Sequence, residues 1–433
     1  MNAQEGRHYY RLGIVGNCSY IAYIDDEAAV RWLCMPRFDS SFLFGSLLDP
    51  HKGGRFSIHV PEPFSTRQHY AENTNILHTD FQMGDTRFRV TDFAPRFYQY
   101  DRYFRPLMLA RKIEPIRGQP RIVVHCTPVG DYGRIQPEIV VGSNHIRYLN
   151  LGGHVRLTTD IPLSYVADAK PFVLNEPRYL VFSYGPPLEA PLAATVEEFL
   201  DKTRQYWLQW VKTMSIAPIF QEATIRSALV LKLHQFEDTG GIIAAGTTSL
   251  PESPQSGRTW DYRYCWLRDK AAGLAERSAA RVEACFDPVR EVYTQAVGVG
   301  HLDASNLQLI SLHYLDPASE RARRHLAALE SQLKADHGLF YRYVHEDDFG
   351  KPQSSFLATA FRYVETLACV GRVSEAMDAL EHLMMYSNHL GLFSEDVMLD
   401  GSQWGNFPQT YSHVGLMNAV YRIARKLDRP IFL

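Results

Sequence analysis

The sequence predicts a multidomain β + α chain, an N-terminal antiparallel β-sandwich followed by a helical domain. Three observations carry this. Short alternating segments recur through the first half. The apolar period becomes helical from about residue 220 onward. At 433 residues the chain is long enough for two to three domains. Sandwich strands are read at Arg55–Val60, Thr86–Thr91, Arg121–His125, Glu138–Val141 and Tyr179–Phe182. Turn-forming stretches such as Asp49-Pro50-His51-Lys52-Gly53-Gly54 and Gly130-Asp131-Tyr132-Gly133 separate them. Helices are expected near 222–237, 270–285, 303–314, 318–334, 354–371, 373–387 and 410–426, joined by short connections as in antiparallel helix pairs. Thr195 to Met214 has helical spacing and reads as a link. The expected division is therefore 1–194, a helical linker at 195–219, and 220–433.

Composition narrows the function classes. A formal net charge of −3 with no long basic run gives no pull toward nucleic acid or anionic lipid, so neither is an expected partner. No apolar run reaches the length of a membrane span, and the start lacks the pattern of a signal peptide, so a cytoplasmic location is expected. Six scattered cysteines without a C-x-x-C pair read as free thiols. Histidines are numerous, but no H-E-x-x-H or H-x-H spacing brings two together, and no metal or other cofactor is expected. Ser412-His413 lacks a G-x-S-x-G context and implies no Ser–His dyad.

Two stretches stand out chemically. Trp260-Asp261-Tyr262-Arg263-Tyr264-Cys265-Trp266-Leu267-Arg268-Asp269 packs four aromatics, two arginines and two aspartates into ten residues. Buried charges need partners, so this is a poor core sequence, and its aromatic load makes it a poor exposed loop. Flat rings beside Arg and Asp suit a sugar, whose C–H face stacks while its hydroxyls take charge-assisted hydrogen bonds. A buried Arg–Asp pair holding a helix start is the competing reading. The second stretch places Glu395 and Asp396 beside Gly391-Leu392-Phe393-Ser394, just before Trp404-Gly405-Asn406-Phe407-Pro408-Gln409-Thr410-Tyr411-Ser412-His413. Such a carboxylate can activate water as a general base, and a solvated loop pair is the alternative.

These phrases resemble glycoside hydrolase family 15, the group of bacterial glucoamylase-like and trehalase-like enzymes. The W-D-Y-R-Y-C-W-L-R-D run is similar to that family's signature, and G-L-F-S-E-D followed by G-N-F-P-Q-x-x-S-H is similar to its catalytic-base segment. Val30–Ser40, Thr247–Glu252, Leu302–Ser305 and Gly338–Tyr343 match further segments in the family's order. The resemblance implies a β-sandwich joined to an (α/α)6 barrel. It also implies hydrolysis of α-glucosidic bonds with inversion, releasing glucose from an α-glucoside or oligosaccharide. By resemblance Glu395 matches the base, Arg268 and Asp269 grip the cleaved glucose, Tyr262 and Trp266 line its subsite, and Tyr411 lies near it.

One departure matters. Asp269 and Leu302 lie 33 positions apart where the family carries several barrel helices, one of them bearing the general-acid Glu in a G-I-W-E type segment. No G-I-W-E occurs in the chain. The barrel is therefore expected to be incomplete, truncated internally between about 269 and 302. Activity without the acid is in doubt, and a non-catalytic carbohydrate-binding remnant is the alternative reading. Glu276, Glu283 and Glu291 remain as carboxylates in the shortened stretch, and surface helix positions account for them best. A part-barrel exposes apolar faces, so pairing with a second copy as a homo-oligomer is a further expectation.

Overall fold

The computed structural model describes residues 7–265 and 281–427. It divides into two compact units, Arg11–Met214 with Lys232–Ile242, and Met1–Tyr10 with Ser215–Leu231 and Ile243–Leu433. The units are thus interleaved, whereas the sequence reading set three consecutive stretches. The expected linker is mostly the helix Leu192–Lys212, which clusters with the sheets. It does so because it is amphipathic. Val196 is fully buried beside Phe93 and Val181 of the sheets.

The first unit is an antiparallel sandwich. One sheet has eight strands in the order Glu138–Val141, His145–Leu149, Val155–Thr159, Arg178–Tyr184, Met108–Arg117, Thr86–Phe93, Leu77–Met83, Ser65–Tyr70. The other has seven and runs from Leu12–Gly16 through Ile21–Asp25, Val30–Cys34 and Arg55–His59 to Arg121–Thr127 and Phe172–Val173, with Phe42–Phe44 on a side branch. Alternation places one face of each strand inward. Phe44 and Phe56 of the seven-stranded sheet meet Phe182 of the other, with ring centroids 5.1 and 5.9 Å apart. Tyr148 donates across the gap to the Cys126 carbonyl at 2.8 Å. The core also holds one ion pair, Arg111 with Asp92, neither exposed at all.

The second unit is helical and forms an incomplete barrel of the (α/α)6 type. Among the described residues from 215 onward there are six α-helices, fewer than the six pairs of a complete barrel. The central one is Leu357–Cys369, with 11 of its 13 residues buried, as expected for a helix apolar on nearly all sides. It packs on Thr410–Lys426 through a core including Phe361, Val364, Leu416 and Val420. The helix expected at 303–314 is a correction: only Ala304–Leu307 and Gln308–Ser311 form, as short turns. Asp303 caps the first through Ser305 N–H, and His313 at φ +62° ends the second. The expected helix at 270–285 lies largely outside the described residues. Just beyond it, Val289, Val297 and Leu312 are 90, 60 and 73% exposed. Apolar side chains this open fit a barrel from which neighbouring segments are missing.

Candidate functional site

The site lies in the helical unit and is built by two short pieces of extended chain. Residues 260–264 run beside 244–249. Ala244 and Ala245 N–H groups donate to the Tyr264 and Tyr262 carbonyls, and Ser249 N–H donates to that of Trp260. The second piece is a small antiparallel sheet of Ser355–Phe356, Asp396–Val397 and Gln403–Trp404. Glu395 stands at its edge, its N–H donating to the Asn406 carbonyl and its carbonyl accepting from Leu357 N–H.

Glu395 is 1% exposed, so its carboxylate depends on fixed donors. Asn406 gives it two, the backbone N–H at 2.9 Å and the side-chain amide at 3.4 Å to Oε2. The amide is oriented by Thr247, whose hydroxyl donates to Asn406 Oδ1 at 2.9 Å, and its other hydrogen goes to the Trp260 carbonyl at 3.3 Å. Tyr262 also hydrogen-bonds the Glu395 carboxylate. The loop closes tightly: Gly405 N–H donates to the Pro251 carbonyl, and Tyr10 hydroxyl donates to the Gly405 carbonyl at 2.8 Å.

Asp396 and Glu252 complete the cluster, with carboxylate oxygens of all three within 4.8 Å of one another. Asp396 is buried and accepts from the Ser354 hydroxyl at 3.0 Å. Glu252 accepts from Trp260 Nε1–H at 2.6 Å. Burial, with Glu252 adding repulsion, pushes Glu395 up to about 7 against the donors from Tyr262 and Asn406. Burial and the Glu395 and Glu252 charges push Asp396 well above the usual carboxylate range, and burial raises Glu252. Three carboxyls this close do not all ionise at neutral pH, so they share protons as a set. Oxygen ligands of this kind are what a hard divalent cation takes. Here Glu395 and Glu252 already accept from Asn406, Tyr262 and Trp260, and the set reads as hydrogen-bonded carboxyls.

What the cluster can do follows from spacing. A base near 7 is well matched to taking a proton from water at neutral pH. Its acid partner is not Glu252. Inverting pairs stand about 6.5–9.5 Å apart and retaining pairs about 5–5.5 Å, and these oxygens are closer than either. Nor is it Glu283, which accepts from Tyr293 and Tyr314 hydroxyls at 2.7 and 2.8 Å and from Arg321 at 2.8 Å. These donors hold its carboxyl below the usual range, as the anion. Glu291 pairs with Arg324.

Of the residues expected at the site, the structure brings Glu395 and Tyr262 together. Tyr411 is half-buried in the first turn of Thr410–Lys426. Trp266, Arg268 and Asp269 lie outside the described residues. Inside the signature Asp261 and Arg263 pair at 2.8 and 2.9 Å, in extended chain and not at a helix start. Ser412 donates to the Ser394 carbonyl, and His413 accepts from Phe393 N–H, so neither forms a dyad with the other. Glu252, Asn406, Thr247 and Gly405 were present in matched segments but not singled out. Nothing in their local spacing shows that they meet at one carboxylate. Clefts of about 280 and 260 Å³ elsewhere, lined in part by Arg7 and Tyr386 and by Arg31 and Arg55, do not include Glu395.

Comparison with known proteins bears on the family and the fold. The family model described as "Trehalase-like, N-terminal" matches residues 2–157, and that described as "Glycosyl hydrolases family 15" matches residues 218–276. A trehalase of Thermoplasma volcanium is 24% identical over 590 positions, covering 97% of this chain and 93% of that protein. One from Thermoplasma acidophilum is 25% identical over 567 positions, covering 92 and 97%. A trehalase of Mycolicibacterium smegmatis is 30% identical over 304 positions, covering 60 and 43%. Both Thermoplasma alignments exceed the 433 residues present here, so those proteins carry residues without a counterpart in this chain. A bacterial glucoamylase solved with acarbose superposes with a TM-score of 0.66 at 10% identity, over 100% of this chain and 96% of its own, which establishes the fold.

Proposed function

We propose, for a chain that is a glucoamylase- and trehalase-like member of glycoside hydrolase family 15, a site that binds an α-linked glucose disaccharide and directs water at it from Glu395. The observation that carries this is the environment of Glu395. It is a buried carboxyl aimed by Asn406 and Tyr262 and pushed up to about 7. In the inverting reaction Glu395 takes a proton from water as the water's oxygen attacks the anomeric carbon, and a second group protonates the departing oxygen. Tyr262 fixes the carboxylate's direction. By the family resemblance, Arg268 and Asp269 hold the glucose unit and Trp266 and Tyr411 line its place.

Trehalose is the substrate this reading tests first, since the relatives above are trehalases and the first 157 residues match a trehalase-like model. Turnover is expected to be slow. The chain holds no G-I-W-E segment, and loss of a general acid removes a factor of about 10²–10⁴. A second reading, sugar binding without turnover, is favoured by the short Asp269–Leu302 spacing.

The experiment is glucose release from trehalose, maltotriose and isomaltose by the folded chain, with Glu395→Gln as control. Release that vanishes in the control supports a slow hydrolase. Release that persists in the control overturns Glu395 as base. Binding without release leaves the carbohydrate-binding reading.

A further inference from the structure

We infer that Trp260 and Phe349 form the wall on which the second sugar ring stacks, next to the ring that faces Glu395. This rests on the reading of Glu395 above. Trp260 is 37% exposed and Phe349 54%, an unfavourable state for two large rings standing together in water. Their centroids are 5.6 Å apart at 77°, an edge-to-face corner, and the Arg258 guanidinium lies 5.5 Å from the Phe349 centroid.

Both rings are held in place. Trp260 is tied at two points to the supports of the base: its carbonyl accepts from Asn406, and its indole N–H donates to Glu252. Phe349 sits in a tight turn closed by Asp347 and Gly350. Its N–H donates to Asp347 Oδ1 at 2.9 Å, and Asp347 is gripped by Arg258 and by the Tyr343 hydroxyl. Arg258 also donates to the Gly350 carbonyl at 2.9 Å. A loop fixed by a guanidinium and a tyrosine presents its apolar ring outward with little entropy left to lose on binding.

The chemistry of the corner suits a pyranose. Rings cover a C–H face, and the Glu252 carboxylate, which accepts from the Trp260 indole, borders the corner with oxygen acceptors for hydroxyls. Position assigns the ring. Trp260 bonds Glu252, whose carboxylate neighbours that of Glu395, so its ring stands beside the unit that faces Glu395. The corner therefore contributes to binding a disaccharide and contributes nothing to binding a single glucose unit.

Calorimetric titration with trehalose, maltose and methyl α-glucoside tests this on the full chain and on Phe349→Ala. The alanine variant is expected to lose about threefold to tenfold in affinity for the disaccharides and to keep its affinity for methyl α-glucoside. Trp260→Phe, which keeps a ring and loses the N–H, is expected to retain most disaccharide affinity. Unchanged disaccharide binding by Phe349→Ala overturns the wall while leaving the site intact, as does an equal loss for all three sugars. Failure of the folded parent chain to bind any of them overturns the site reading, and the wall with it.

Discussion

The Glu395 carboxylate lies directly against the backbone of Gly405. A Cβ built on residue 405 would fall 2.7 Å from Glu395 Oε2, and the residue stands at φ +74°. Both conditions admit only glycine. Gly405→Ala is expected to lose about 1–2 kcal/mol from the left-handed backbone alone, and to displace the carboxylate as well. Gly298 has the same φ with nothing within 4 Å, so Gly298→Ala serves as the strain-only control. Thermal melting compares the two losses. Trehalose titration should show affinity falling in Gly405→Ala and holding in Gly298→Ala.

Glu395 makes stability depend on pH in a defined direction. Its folded value is raised from 4.5 to about 7, so between these values the native state holds a proton that the unfolded chain has released. Stability then falls as pH rises through this window. The contribution is fully present below about 4.5 and is lost once pH passes about 7. Glu395→Gln removes the titration. It should make the profile of Tm against pH shallower over that interval, the raised carboxyls of Asp396 and Glu252 keeping part of the slope, and melt higher than the parent at pH 8. A parent profile that rises across the interval would contradict the assignment.

Glu283 lies within the shortened stretch between Asp269 and Leu302 and has a full set of partners. Two tyrosine hydroxyls and Arg321 keep it ionised. A proton donor must carry a proton, so Glu283→Gln should leave any glucose release unchanged within twofold. A fall of a hundredfold would identify it as the missing acid and would sink the argument from its hydrogen bonds.

In the sandwich, Arg111 and Asp92 pair through Nε–Oδ1 at 2.6 Å and Nη2–Oδ2 at 3.1 Å, with the guanidinium 4.7 Å over the Phe56 ring. Arg111→Met strands a buried carboxyl. Urea unfolding should report a loss of about 3–5 kcal/mol. A loss under 1 kcal/mol would mean that Asp92 is satisfied without its partner.

Much of the fold was legible in sequence because its signals are local. The strands at Arg55–His59 and Glu138–Val141 and the helices Glu320–Leu333 and Thr410–Lys426 lie within a few residues of the expected bounds. Each declares itself by the period with which apolar residues recur. The 303–314 helix misled because its apolar spacing is helical while its geometry is set by the Asp303 cap and a positive φ at His313. Glu395 and Tyr262 were legible because they stand in long family motifs.

By itself, the sequence determined the β-then-α order, the short spacing between Asp269 and Leu302, the absence of a G-I-W-E segment, and Glu395 as the residue to watch. Only the tertiary structure decided what surrounds that residue. Glu252 is 143 positions away in sequence, Thr247 acts through Asn406 from 159 positions, and Tyr10 reaches Gly405 from 395. Periodicity encodes which face of an element is buried, but not which distant carboxylate will share that burial. The proton held by the cluster, and the corner formed by Trp260 and Phe349, exist only once the chain has closed those distances.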